Sequence, residues 1–149
     1  MPELTTRMIS HQYYIQGRPE EVFRAITNPE SIVKWLCDSA QISLRNGGPY
    51  SLGWKDGPTH TGTVLDLVPG KSITFSWAWP GVDLAGTKFT LAVEEKGEGS
   101  LLIVEHSGFP RSEKWTDLYG GAEWGWTYFA MNLKSVIEHG HDLRSPSDG

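Results

Sequence analysis

After Phe109 the hydrophobic pattern of this chain changes from a period of two to a helical period, and that change constrains the fold more than any other feature. From Asp38 to Phe109 apolar residues recur at every second position. The runs are Ala40, Ile42 and Leu44; Tyr50, Leu52 and Trp54; Ile73, Phe75, Trp77 and Trp79; Phe89, Leu91 and Val93; Leu102 and Val104, with His106 on the same parity. A period of two marks strands with one buried face. From Trp115 to Ile137 the spacing becomes three and four, through Leu118, Tyr119, Ala122, Trp126, Phe129, Ala130, Leu133 and Val136. That is one wide apolar stripe on a helix about 35 Å long. An antiparallel sheet with one apolar face needs a cover, and this helix is the one element large enough to supply it.

The remaining elements follow from turn and cap chemistry. Residues 7–16 alternate as a first strand, with Ile9, His11, Tyr13 and Ile15 on one side. Pro19, followed by Glu20 and Glu21, opens a short helix, and Asn28-Pro29 opens a second that ends near Leu36; proline suits the first helical position and Asn the cap. Asn46-Gly47-Gly48, Asp56-Gly57-Pro58, Pro69-Gly70, Pro80-Gly81 and Gly97-Glu98-Gly99 then punctuate a meander. The expected order is strand, two short helices, six strands, long helix, an α+β fold. A sheet curling round one helix leaves a space between them, closed at one end by the short helices, and this suits a small-molecule cavity.

His139-Gly140 is read as the stop of the long helix, and residues 141–149 are expected to form a flexible polar tail. Gly120-Gly121 allows two readings, since each glycine costs a helix about 1 kcal/mol against alanine. Either the helix starts after the pair, near Ala122, or the pair hinges a lid running from Arg111 to Gly121. With 149 residues and 38% hydrophobic composition the chain is expected to be a single domain, 1–149, with a core of its own.

Charge and cysteine content exclude several function classes. The net charge is −5 and no basic stripe exists, which argues against nucleic acid and against an anionic membrane surface. No apolar run approaches the roughly 18 residues of a membrane span. The N-terminal residues lack a signal-peptide core. The single cysteine, Cys37, permits no internal disulfide and no cysteine-based zinc site, and suits a cytoplasmic setting.

Seven tryptophans, at 35, 54, 77, 79, 115, 124 and 126, are the oddity of the composition. Trp35, Trp54, Trp77, Trp79 and Trp126 fall on expected inward faces, as do Phe75, Phe89 and Phe129. They serve either as simple core or as the planar wall of a pocket. Rings this large pack a small core awkwardly, so an apolar or aromatic ligand near Trp54, Trp77 and Trp126 is expected. His106 is inward by parity. It is either a hydrogen-bonded structural histidine or, as a neutral imidazole in an apolar cavity, a ligand donor or general base. His11 and His60 are weaker candidates of the same kind. No local His spacing supports a metal site, and no paired-carboxylate site is visible. Glu123 is placed where it could reach a cavity mouth.

The residues R-P-E-E-V-F-R-A-I-T-N-P-E-S-I-V-K-W-L (18–36), N-G-G-P-Y (46–50), T-F-S-W-A-W (74–79), V-E-H-S-G-F (104–109) and G-W (125–126) resemble the helix-grip superfamily of START-like and polyketide cyclase proteins. Within it the chain is most similar to the group named after the C-terminal domain of the activator of Hsp90 ATPase. The resemblance spans nearly the whole chain and implies a curved antiparallel sheet gripping the long C-terminal helix. Many relatives carry a His three residues before the late Gly; here that position is Ala122, so no role of that His transfers. The strand after the first glycine pair is also unusually aromatic, with Tyr50 and Trp54.

Fold membership alone does not choose among the carriers, cyclases, hydrolases and chaperone-binding modules of this superfamily. The expected function is binding of a small hydrophobic or aromatic molecule, with Trp35, Tyr50, Trp54, Phe75, Trp77, Phe89, His106, Trp126, Phe129 and Leu133 as the ligand-binding set. A cyclase-like or hydrolytic enzyme using His106 in the same cavity is the alternative. A module associated with an Hsp90-type chaperone is third, because it needs an outer apolar patch and the pattern offers no obvious exposed stripe. No metal or cofactor is implied, and self-association as a homodimer is left open.

Overall fold

The computed structural model describes residues 6–57, 59–78 and 86–144. Its elements follow the expected order: β1 (Thr6–Ile15), α1 (Pro19–Thr27), α2 (Pro29–Ile32), β2 (Ser39–Ile42), β3 (Pro49–Gly53), β4 (Thr59–Val68), β5 (Ser72–Trp77), β6 (Thr87–Lys96), β7 (Gly99–Pro110) and α3 (Glu113–His139). The seven strands form one antiparallel sheet in the order β1-β7-β6-β5-β4-β3-β2. The first strand therefore pairs with the last, and α1 and α2 carry the chain from one edge of the sheet to the other.

Register sets the inner face. Ile9 lies opposite His106, His106 opposite Phe89, Phe89 opposite Phe75, and Phe75 opposite Val64. One inward row thus crosses five strands, and all five side chains are buried. Side-chain alternation made that row predictable, because each pair keeps the parity of its strand. Bulges between Arg7 and Met8 and between Val64 and Asp66 bend their strands.

The two short helices form as their caps dictate. Pro19 opens α1, with Glu20 and Glu21 in its first turn, where acids complement the helix dipole. The Asn28 side chain accepts the Glu30 backbone N–H at 2.9 Å and starts α2. The Trp35 indole N–H donates to the Ala25 carbonyl at 2.8 Å and ties the two helices together.

α3 starts earlier than a break at Gly120-Gly121 would place it. The helix runs unbroken from Glu113 through both glycines. Tertiary packing outweighs the glycine cost. Trp115 is buried against Phe109, Tyr119 meets Phe109 edge-on, and the Arg7 guanidinium lies 4.7 Å from the centre of the Tyr119 ring. The far end stops at Gly140, whose φ of 66° is left-handed and whose N–H bonds the Val136 carbonyl.

Residues 141–144, expected as the start of a flexible tail, are tied to the body. The Arg144 guanidinium donates to the carbonyls of Val33 and Cys37 and to the Asp142 carboxylate. Buried Asn132 of α3 donates to the Trp35 carbonyl and to Asp142, and accepts the Leu143 N–H. These bonds satisfy carbonyls that the end of α2 would otherwise leave orphaned. The Arg144 hydrogen bonds hold the Asp142 carboxyl down at about 2. Residues 145–149 lie outside the described residues, as does Trp79.

Candidate functional site

Among the described elements, α3 approaches the sheet most closely at β1 and β7. Over the ends of β3, β4 and β5 the two layers part, and a cavity of about 620 Å³ lies between them. Its helix side is one face of α3: Asp117, Leu118, Gly121, Ala122, Gly125, Trp126 and Phe129, at spacings of three and four. Three of these seven, Gly121, Ala122 and Gly125, are too small to reach the sheet, and that is what leaves the gap. Its sheet side carries Trp54, His60, Trp77, Phe89 and His106, with Leu36 beneath and Asp38, Asp56 and Gly57 at the rim.

The aromatic groups hold one another edge to face. Trp54 meets His60 at 87° and Trp77 at 89°, while the His60 and Trp77 rings stack with centroids 4.1 Å apart. Trp77 meets Phe89 at 5.5 Å, and Phe89 meets Trp126 at 4.8 Å. Such contacts add a fraction of a kcal/mol to about 1.5 kcal/mol each beyond the area they bury. The Trp54 indole N–H donates to the Leu36 carbonyl at 2.9 Å, so this ring is pinned at the rim.

His106 sits on the cavity floor and is 2% exposed. The Trp126 indole N–H donates to its Nδ1 at 2.9 Å. Nε2 must then carry the proton, and it donates to Thr87 Oγ1 at 2.6 Å. The Thr87 hydroxyl in turn donates to the Trp77 carbonyl at 3.1 Å. Trp126, His106, Thr87 and Trp77 thus form a chain of bonds running in one direction. Burial pushes the His106 pKa down to about 3. The ring is neutral at physiological pH and both its nitrogens are engaged, an arrangement that fixes Trp126 rather than frees a base.

Of the ten expected ligand-binding residues, Trp54, Trp77, Phe89, His106, Trp126 and Phe129 border this cavity. Trp35, Tyr50, Phe75 and Leu133 are buried in the core away from its lining. Trp35 packs at the two-helix corner. The Tyr50 hydroxyl donates to the Ser76 carbonyl, and burial raises its pKa. Phe75 stands between Tyr50 and Phe89. Glu123 is exposed and does not line the cavity. Burial raises the Cys37 thiol to about 11 and leaves it unreactive.

No pattern in the sequence marks the rim. Asp38, Asp56 and Asp117 stand at the mouth, and among the described residues no Lys or Arg lines the cavity. Turn residues hide such a rim, because no periodicity applies to them. Ala122 was legible on the face of Trp126 and Phe129, whereas Gly121 and Gly125 carry no hydrophobic signal and were not. The pattern also failed to expose an outer stripe on α3. Trp124 is 70% exposed and stacks on Tyr128 at 4°, with Met131 exposed one turn further on.

A second hollow, of about 760 Å³, lies at the other end of β5 and β6. Arg18 at the cap of α1, Lys71 of the β4–β5 turn, Glu94 and Glu95 of β6 and Glu98 of the β6–β7 turn line it, and among the described residues no aromatic side chain does. Among the described residues no group of three or more His, Cys, Asp and Glu is placed to hold a metal ion. No helix among them is long and apolar enough to cross a membrane.

Comparison with known proteins places this geometry. Solved structures similar to the chain include MLL2253 from Mesorhizobium loti, at 25% identity and TM-score 0.81, covering 91% of this chain and 99% of that one. The Aha1 dimer from Colwellia psychrerythraea is similar at 23% identity and TM-score 0.73, covering 90% and 98%. CalU16 from Micromonospora echinospora is similar at 24% identity and TM-score 0.66, covering 93% and 78%. No curated protein matches at a significant level. The model of one family, Activator of Hsp90 ATPase homolog 1-like protein, matches residues 16–138, from the end of β1 to the last turn of α3. With a seven-stranded antiparallel sheet closed on one long helix, the chain belongs to the Activator of Hsp90 ATPase homolog 1-like family.

Proposed function

We propose that this protein binds a small hydrophobic or aromatic molecule in the cavity between α3 and the ends of β3 to β5. The observation that carries the reading is the lining: Trp54, Trp77, Phe89, Trp126 and Phe129 around about 620 Å³. Ligand pockets of this size are commonly apolar walls with a few polar groups. The bond to His106 holds the Trp126 indole and the stack on His60 holds the Trp77 ring, so the walls are preorganised and little entropy is lost on binding.

Turnover in the same cavity is the weaker reading. His106 was its best acid–base candidate, and both nitrogens of that ring are engaged within the protein. A protein partner, whether an Hsp90-type chaperone or a second copy, would meet the outer stripe Trp124, Tyr128 and Met131. Light scattering of the purified chain separates monomer from dimer. A cytoplasmic setting belongs to the same proposal and rests on the single, buried Cys37.

The test is tryptophan fluorescence titrated with a panel of apolar ring compounds, on the wild type and on Ala122→Phe. A phenylalanine at 122 projects into the cavity from α3. Saturable quenching by at least one compound is expected in the wild type, with at least a 10-fold loss of affinity in the variant at unchanged thermal stability. Quenching that is equal in both proteins would place the bound compound elsewhere and sink the reading.

A further inference from the structure

One polar group on the cavity wall is not absorbed by the protein's own hydrogen bonds. His60 is 7% exposed and borders the cavity between Trp54 and Trp77. Its Nδ1 lies 3.0 Å from the Ala78 carbonyl oxygen. A carbonyl only accepts, so Nδ1 carries the proton and Nε2 is left with a lone pair. Nε2 has no hydrogen-bond partner among the described residues. His106 offers the contrast, since its two nitrogens are bonded to Trp126 and Thr87. Nε2 is not sealed off by the protein and opens on the cavity, where a donor on a ligand can take the place of water.

We infer that His60 is the polar anchor of the cavity: its Nε2 accepts a hydrogen bond from an O–H or N–H group on an otherwise apolar ring ligand, and the mouth rejects ligands that carry a carboxylate. The second clause rests on Asp38, Asp56 and Asp117 at the rim, with no Lys or Arg among the described lining residues to offset them. The inference stands on the reading of the cavity as a ligand site and names the chemistry of what enters it. Burial lowers the His60 pKa, so the ring stays neutral and the lone pair stays available. The stack on Trp77 fixes the plane of the imidazole, and the Ala78 carbonyl fixes its tautomer. A donor on the ligand therefore meets an acceptor already aimed, which gives discrimination as well as affinity.

Three probes of one ring system test this, followed through the indole N–H resonances of the protein. They are 2-naphthol, which donates; 2-methoxynaphthalene, which does not; and 2-naphthoate, which is anionic. In the wild type 2-naphthol is expected to bind at least about 10-fold tighter than either of the others, an effect the size of one buried acceptor gaining or losing its partner. His60→Phe keeps a ring to stack on Trp77 and removes the acceptor. His60→Asn keeps a donor for the Ala78 carbonyl and removes the acceptor at the Nε2 position. Both variants are expected to bind 2-naphthol and 2-methoxynaphthalene alike. A preference for 2-naphthol that survives in either folded variant overturns the role of His60. Tight binding of 2-naphthoate overturns the charge rule. No saturable binding of any probe to the wild type overturns the cavity reading itself and this inference with it.

Discussion

At the residue scale, two histidines of one cavity have opposite fates, and the difference is countable in hydrogen bonds. His106 spends both nitrogens on Trp126 and Thr87, whereas His60 spends one on Ala78. Strand parity made the inward direction of His106 legible, because Leu102 and Val104 precede it at a period of two. Parity could not tell whether the ring would meet a partner, since Thr87 and Trp126 come from elements 19 and 20 residues away. The neutral, buried state of His106 has a thermodynamic consequence. The unfolded chain carries this ring at its ordinary 6.5 and the folded protein at about 3. Below pH 6.5 the unfolded state takes up a proton that the folded state refuses, so stability falls with pH until the folded ring itself protonates near 3. The full slope is about 1.4 kcal/mol per pH unit for one ring. His60, also lowered by burial, acts in the same direction. Glu138 and Asp142 are held low by Lys134 and Arg144, so they contribute above their ordinary values of 4.5 and 3.8 and lose that contribution at lower pH. The interval from 6.5 to 5 thus belongs to the histidines. Urea denaturation at pH 7, 6 and 5 is expected to show a fall of about 2 kcal/mol from His106 alone. His106→Gln can keep a bond to Trp126 and one to Thr87, and it should remove that share. An unchanged slope in the variant would mean that the ring is not held neutral by the fold.

At the element scale, α3 carries the clearest conflict between local preference and tertiary demand. Gly120, Gly121 and Gly125 sit inside a helix of 27 residues, where each costs about 1 kcal/mol against alanine. None is required by the backbone, and a Cβ at any of the three would meet no atom within 4 Å. Propensity alone favours starting the helix after the pair. The structure starts it at Glu113 because Trp115 and Tyr119 dock on Phe109, and no local rule reports that contact. The glycines at 121 and 125 stand on the cavity face, so their small size keeps the mouth open at a cost in helix stability. Gly120→Ala, off the lining, and Gly125→Ala, on it, are each expected to raise stability by about 0.5–1 kcal/mol. The two positions should differ in binding when a large side chain is placed on the lining. Affinity for an apolar ring ligand should be unchanged in Gly120→Ala and altered in Gly125→Leu, whose side chain fills the mouth. Calorimetric melting and titration of the three variants check this. A destabilised Gly120→Ala would show that the glycine answers a steric need after all.

At the scale of the whole molecule, the cavity exists because α3 is fastened differently along its length. Its C-terminal half is clasped from several sides: Asn132 to the Trp35 carbonyl and Asp142, Lys134 to the Tyr14 carbonyl, and Glu138 to the Gln16 N–H. Ile137 packs so close to Gly17 that a Cβ there would lie 2.8 Å from it. The N-terminal half spans the cavity and, among the described residues, is held mainly through rings, with Trp115 and Tyr119 against Phe109, Arg7 against Tyr119 and Thr116, and Trp126 against Phe89 and His106. The fold class and the helix that grips the sheet could be read from the two hydrophobic periods. This asymmetry could not, since it depends on Asn132, Asp142 and Arg144, polar residues that carry no periodic signal. The half that lies over the cavity should open more readily, because an unfilled space beneath a helix gives it less to pack against. Backbone amides from 117 to 126 are therefore expected to exchange faster than those from 130 to 138 in the free protein. An apolar ring ligand that saturates the cavity should slow the first group by about 10-fold or more and leave the second within about 2-fold, since a ligand protects only the openings it must reverse. Hydrogen exchange followed by NMR distinguishes the outcomes. Uniformly slow exchange across Leu118 to Glu123 in the free protein would mean that the mouth is rigid and the ligand enters past the rim of Asp38, Asp56 and Gly57. Protection spread evenly along the helix would mean that α3 moves as one body, with its clasp at Asn132 as the hinge.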